Sequence, residues 1–506
     1  MKNEIKNGVL IGYLNVIFTA IVTFIYTPIM IKLIGQSEYG LYSLVASIIA
    51  YLSVLDMGFG NAMIRYISKS QAEKNKNEES KLNGMFLLMY LLIGIIALII
   101  GFIFLFNVDN LFSAKLTELE LSKSKILLII SLVTVVLSFP LSIFDSYAMA
   151  SEKFTFLKLL NMLKTVLIPL TTLPFLLFGF KSIAMVLIMS IYNITYHLCN
   201  MFLCFKKLNM KIAFDFNFRK SKLMKEILFY SFFVFLNIVV DNIYNNTDQI
   251  ILGSVCGTAA VSVYAVAITI SQANQLCSVT ISSLFLPKIT KLFAKGNNDK
   301  KISDLFIFVS RMQIYLMLLI LTSFILFGQS FINLWVGNDY KDAYFIILLL
   351  IGPGFIPLTQ NVAISILQAK NKHQFRSILY IFIAILNIMI SIPLAKLYGG
   401  IGAAIGTAFG NLLGQIIIMN IYYYKVINLD IPRYWRFLIK ILIPFIIIVP
   451  ALYYLIHLIT INSWIILFIL ALIYIIIYFF IIRLYFNEEE NKYYYSIKTK
   501  LLRGDK

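Results

Sequence analysis

Ionisable side chains occur where this chain is otherwise apolar: Asp56, Arg65, Lys164, Asp241, Asp248 and Arg311 all fall inside long runs of Ile, Leu, Phe and Val. A charge in such a run costs a few kcal/mol on insertion, so each marks a partner, a side chain reaching back to the headgroups, or a binding role. Asp56, Asp241 and Asp248 are candidates for holding a proton or cation, and Lys164, Arg311 and Arg65 for holding an anion. No nucleophile with its base, glycine-rich phosphate loop or surface carboxylate cluster accompanies them, so reversible binding is expected rather than covalent chemistry.

Asn237, Asp241, Tyr244, Asn245 and Asp248 recur every three or four residues. That spacing puts them on one stripe of a helix, which would line a water-filled cavity or hydrogen-bond neighbouring helices. Gln272 and Gln275, then Asn361, Ser365 and Gln368, and near the start Asn15, Thr19 and Thr23, give other stretches a wet face. Asn193 and His197 are one turn apart, and a lone His there reads as an interhelical donor before a proton relay. Cys199, Cys204, Cys256 and Cys277 lack paired spacing, so no disulfide framework and no metal site is indicated. No cofactor is implied.

The elements that carry these residues are transmembrane helices. The chain has 506 residues, 60% of them hydrophobic and 13% charged, with a mean hydropathy of +0.86. Crossing a hydrocarbon core takes roughly 20 apolar residues. Windows of that kind fall at 9–34, 40–66, 83–106, 124–150, 155–178 and 181–205, then at 226–251, 258–286, 303–327, 342–368, 375–397 and 400–424, and finally at 434–457 and 463–484. Fourteen helices are expected, in an all-α integral membrane protein. Continuous apolar runs exclude the short alternating strands of an outer-membrane barrel. On these windows Lys164 and Arg311 lie roughly 12 to 14 Å past a helix start, near mid-membrane. Asp56 and Arg65 lie on opposite sides of a regular helix, with Gly58 and Gly60 able to break it between them.

The formal charge of +19 could suggest nucleic acid, but most of the 43 Lys and Arg fall in the N-terminus and every second loop. Basic residues in short loops stay on the cytosolic side, so both ends are expected in the cytosol and nucleic acid becomes an unnecessary partner. The first apolar run is too long for a secretory h-region and should remain as helix one.

Features recur at an offset of about 220 residues, as in proteins built from duplicated bundles. Gly35 and the stretch Glu38 to Val45 echo Gly253 and the stretch Val261 to Ala267, both glycines being placed at a helix end. Phe139-Pro140-Leu141 echoes Ile356-Pro357-Leu358, and Phe178-Gly179 echoes Tyr398-Gly399. The implied organisation is an N-terminal lobe over 1–210 (helices one to six), a C-terminal lobe over 219–425 (helices seven to twelve), a helix pair over 430–486, and a cytosolic tail over 487–506.

The stretch Leu55-Asp56-Met57-Gly58-Phe59-Gly60-Asn61-Ala62-Met63-Ile64-Arg65-Tyr66 resembles the helix-two signature of the polysaccharide-synthesis flippases, the Wzx-like branch of the multidrug/oligosaccharidyl-lipid/polysaccharide (MOP) exporter superfamily. Asp248 to Gly253, Val263 to Ala267, Leu367 to Lys372 and Gly399 to Thr407 extend the similarity over nearly the whole chain. The resemblance implies a two-lobed bundle in the bacterial inner membrane that turns over undecaprenyl-pyrophosphate-linked oligosaccharide units by alternating access, for O-antigen, capsule or a related polymer. It also implies membrane lipids, a polysaccharide polymerase and a chain-length regulator as partners. A drug or metabolite cation antiporter of the same superfamily is the nearest alternative, although it needs no final helix pair. A membrane-embedded glycosyltransferase or polymerase would need a large outer loop, and the outer loops here are short.

Overall fold

The structure, a computed structural model, describes residues 2–214, 222–294, 299–370, 372, 374–488 and 490–491. Among them the chain is helical, without strands: α1 Lys2–Ile34, α2 Gln36–Ser53, α3 Phe59–Ala72, α4 Lys76–Phe112, α5 Glu118–Ala150, α6 Phe154–Leu177, α7 Lys181–Lys206, α8 Lys222–Val255, α9 Thr258–Ala294, α10 Asp299–Trp335, α11 Ala343–Thr359, α12 Val362–Ala369, α13 Gln374–Gly410, α14 Met419–Lys425, α15 Ile431–His457 and α16 Trp464–Arg483.

Among the described residues, eleven helical stretches are long and apolar enough to cross a membrane outright. The pair α11 and α12 forms another span bent by 47°, and Phe18–Ile34 of α1 is a shorter apolar run. The stretch Gln374–Lys425 divides at Gly399, whose φ of 58° and ψ of −136° are not helical. The described helices thus make up the fourteen expected, with different ends. α10, for instance, starts at Asp299 and not near 303.

The surface is inverted relative to a water-soluble protein. Leu92, Ile103 and Phe106 of α4 and Ile446 and Ile447 of α15 point outward. Contiguous apolar surface of this kind is stable only against lipid, and helices satisfy their own backbone there. The chain is a multi-pass membrane protein.

Helix starts are specified locally. Thr117 and Glu120 form a reciprocal cap on α5, with Glu120 N donating to Thr117 Oγ1 at 3.3 Å and Thr117 N to Glu120 Oε2 at 2.9 Å. Asp430 accepts from Arg433 N at 3.0 Å to start α15. Each such cap contributes about 1 kcal/mol. Span two breaks where the sequence places its glycines: Val54–Asp56 form one 3-10 turn, then Met57 (φ 51°) and Gly58 (φ 70°) are left-handed before α3 begins. Gly60 is an ordinary helical residue within α3.

The chain forms two compact units, residues 1–268 with 380–407, and residues 269–379 with 408–506. In the first, α5 packs between α4 and α7, α6 lies against α1, and α2 against α8. Its core gathers Met63 and Ile67 of α3, Phe86 and Tyr90 of α4, Ile143 and Phe144 of α5, and Cys204 of α7. In the second, α10 is central, packed by α11, α15 and α16.

The repeat persists in the backbone. Gly35 (φ 88°) and Gly257 (φ 91°) each precede a helix, and Gly179 (φ 87°) pairs with Gly399 (φ 58°). Spacing alone paired Gly35 with Gly253, but Gly253 lies inside α8 and Gly257 is the true counterpart. With that correction Tyr42 and Tyr264 stand the same number of steps after their glycines.

Candidate functional site

Unit 1 is tied together at one end by carboxylates. Glu120, having capped its own helix with Oε2, accepts through Oε1 from Ser37 and from Thr258 Oγ1 at 2.7 Å. Glu38 pairs with Lys123 and accepts from Ser182 Oγ at 2.5 Å. The starts of α2, α5, α7 and α9 therefore meet in one polar network. Gly40 makes the approach possible, because a Cβ there would strike the backbone carbonyl of Thr258, and one on Gly253 would meet Leu44 at 2.7 Å.

The other end of unit 1 is hollow. A cavity of about 900 Å³ reaches Lys76 at the start of α4 and the loop residues Ser151, Glu152 and Lys211. It shares Asn61, Ile64, Met149 and Phe154 with a deeper one of about 420 Å³, lined by Asp56, Asp145, Lys158, Asn161, Lys164 and Tyr196. Lys76 and Lys211 stand at the mouth of this hollow.

Lys164 stands in the deeper cavity. Its ammonium donates to Asn193 Oδ1 at 3.0 Å and lies 5.0 Å from the centre of the Tyr196 ring. Both partners are neutral, and no ion-pair partner is found for it among the described residues. An ammonium held by an amide and an aromatic face has a donor left over for an anion. Asp56 lines the same cavity beside the Tyr90 hydroxyl and the Gly58 amide. Arg65 is exposed, 5.9 Å from the Tyr66 ring, and is not among the lining residues.

Sequence reasoning passed over Asp145, on α5. His197 Nδ1 lies 2.9 Å from Asp145 Oδ2, close enough for an ion pair though not aligned as a hydrogen bond, and Asn200 Nδ2 donates to Asp145 Oδ1 at 2.6 Å. Asn193, Tyr196, His197 and Asn200 share one face of α7. The available signal was that face, of which Asn193 and His197 had already been singled out.

The stripe on α8 divides. Asp241 is exposed, with Asn245 Nδ2 donating to its backbone carbonyl at 2.7 Å. Tyr244 packs edge-on to Tyr380 at 6.2 Å. Asp248 is 2% exposed, accepting from Tyr264 and from Thr407 Oγ1 at 2.7 Å. Asn387 Nδ2 donates to Thr407 Oγ1 at 3.1 Å, and Ser391 Oγ to Asn387 Oδ1 at 2.6 Å. The side chain of Asn237 lies outside the described residues.

In unit 2, Gln272, Gln275 and Gln368 are exposed, while Asn361 Nδ2 donates to Ser278 Oγ at 3.2 Å. The buried polar seam is made instead by Gln313, which donates to Ser282 Oγ at 2.7 Å, and by Gln360, which donates to Asn420 Oδ1 at 2.8 Å. Arg311 has a carboxylate already: Nε and Nη2 each lie 2.7 Å from Glu490, Nη2 also donates to Tyr485 O at 2.8 Å, and the guanidinium sits 3.8 Å from the Phe437 ring centre. Tyr485 and Glu490 follow the end of α16, so Arg311 lies level with the end of that span and not with its middle.

With this geometry in view, the family described as Polysaccharide biosynthesis protein matches residues 5–293. The chain is 21% identical to "Probable low-salt glycan biosynthesis flippase Agl15" of Haloferax volcanii over 34% of its own length and 37% of the relative's. It is 20% identical to "Uncharacterized membrane protein EpsK" of Bacillus subtilis over 79% of each. Among solved structures, the lipid II flippase MurJ in an inward closed conformation superposes with a TM-score of 0.67 at 18% identity, covering 89% of this chain and 97% of that one. An inward-facing multidrug resistance MATE family transporter of the MOP superfamily gives 0.62 at 15% identity, covering 78% and 92%.

Proposed function

This chain belongs to the polysaccharide biosynthesis protein family, and from that premise we propose that it is a transporter of the MOP superfamily that flips a lipid-linked oligosaccharide across the cytoplasmic membrane for surface polysaccharide assembly. The observation that carries the reading is Lys164, a cation whose hydrogen-bond and ring partners are neutral, lining a cavity that adjoins one reaching Lys76 and Lys211. An undecaprenyl-type substrate presents a diphosphate, and a charge-assisted contact to it is strong where water is scarce. Polar groups around the cavity would meet the sugars, while the chain's apolar exterior leaves the polyprenyl tail in lipid.

On this reading two lobes alternate in exposing the site, both termini are cytosolic, and polymerase and chain-length regulator act downstream. Asp56, Asp241 and Asp248 are candidates for ion coupling, and binding and release of the ion replace any covalent step. Deleting the gene tests the proposal: surface polysaccharide is lost while lipid-linked units accumulate on the cytosolic leaflet, and both recover on complementation. Intact polysaccharide with new drug sensitivity would instead establish the antiporter alternative.

A further inference from the structure

The charges that line the deeper cavity of unit 1 cancel. Lys158 and Lys164 oppose Asp56 and Asp145, so with a neutral imidazole at His197 the site is balanced before any anion enters. A diphosphate diester carries about two negative charges, and placing it in a balanced, partly desolvated site is unfavourable unless positive charge arrives with it.

We propose that capture of a diphosphate at Lys164 is coupled to proton uptake by the Asp145–His197 pair, so that anion and proton each raise the affinity for the other. The inference rests on the anion-site reading above and adds what makes that site electrically complete. Imidazole is the side chain whose ordinary proton affinity lies nearest neutral pH. A proton on His197 turns its 2.9 Å contact with Asp145 into a full ion pair. It also leaves Lys164 without a competing carboxylate field, because Asp145 is then neutralised by His197.

The same face of α7 connects the two groups. Asn193 holds Lys164, Tyr196 stacks over it, and Tyr196 meets the His197 ring edge-on at 5.3 Å. Asn200 fixes the other Asp145 oxygen, and its own buried Oδ1 has no donor. The titratable and charged groups facing the pair are Asp56 before α3, Tyr90 on α4, Lys158 and Lys164 on α6, and Tyr196 and Cys204 on α7. Of these, Asp56 is the one other acid in the cavity, and the phenols and thiol are neutral at physiological pH. Thermodynamic reciprocity then fixes the sign: whatever proton affinity the diphosphate adds, the proton returns as diphosphate affinity.

The test uses the full chain in lipid nanodiscs with inorganic pyrophosphate as the probe, titrated calorimetrically in two buffers of different ionisation enthalpy at about pH 5 to 8. Wild type should take up more protons per pyrophosphate than either His197→Gln or Asp145→Asn, whose shared ligand protonation cancels in the comparison. Wild-type affinity should rise about tenfold toward the acid end, beyond the change in either variant. Both variants should still bind at the alkaline end and elute as wild type on size exclusion, so one misfolded variant leaves the other to decide. Equal proton uptake in all three proteins overturns the coupling and leaves the anion site standing. Pyrophosphate binding that Lys164→Gln does not weaken overturns the anion site itself, and the coupling with it.

Discussion

Arg311 and Glu490, 179 residues apart, meet in a two-pronged ion pair, Nε to Oε1 and Nη2 to Oε2 at 2.7 Å each. Glu490 is 2% exposed and also caps its own turn by accepting from Asn487 N at 2.8 Å. The segment after α16 is therefore docked onto α10. Removing one partner leaves the other charge buried and alone, which costs about 3 to 5 kcal/mol. Arg311→Gln should accordingly lower the melting temperature of the purified protein, read by fluorescence-detected size exclusion. The double variant with Glu490→Gln should lose less than the two single losses combined.

Lys164→Gln should behave in the opposite way. Its partners are an amide and an aromatic ring, so melting should change little while transport of diphosphate-linked substrate falls at least tenfold. Vesicle flipping assays on Lys164→Gln and Arg311→Gln separate the two cations: unaltered transport in the Lys164 variant would sink its role as the anion site.

Gly40→Leu should disrupt unit 1. Its Cβ would collide with the Thr258 carbonyl, a backbone atom that cannot rotate away. The expectation is a marked loss of folded protein on size exclusion, whereas Gly352→Ala, with open space around the site, should leave yield unchanged.

Gly58→Ala tests the break in span two. Gly58 has φ 70°, and an added Cβ would also meet the Val234 side chain. A cost of about 1 to 3 kcal/mol is expected, again as a lower melting temperature.

Asp248 and Asp241 should part company. Asp248→Asn alters an acceptor enclosed by Tyr264 and Thr407 and should weaken the response of transport to an imposed ion gradient. Asp241→Asn, at an exposed position, should affect transport less. If neither substitution changes that response, ion coupling lies elsewhere.

Much of the architecture was legible because lipid imposes a length and a composition on every span. The break at Gly58 was legible too, since glycines in an otherwise apolar helix invite one. Lys164 was legible as a cation set deep in an otherwise apolar run. Pairings between helices were not readable: nothing in the sequence connects Asp145 to His197 or Gln313 to Ser282, because which helices adjoin is decided by packing. The carboxylate that meets Arg311 was hidden for the same reason, since Glu490 lies 179 residues further along the chain.

The left-handed glycines bear on the history of the chain. Gly35 with Gly257, and Gly179 with Gly399, preserve the sign of one torsion angle across halves whose side chains have largely diverged. A duplication leaves its most durable imprint where only one residue type can make the turn. Aligning the two halves by backbone handedness therefore sets a register that residue identity, blurred by interchangeable Ile, Leu and Phe, had placed four positions away.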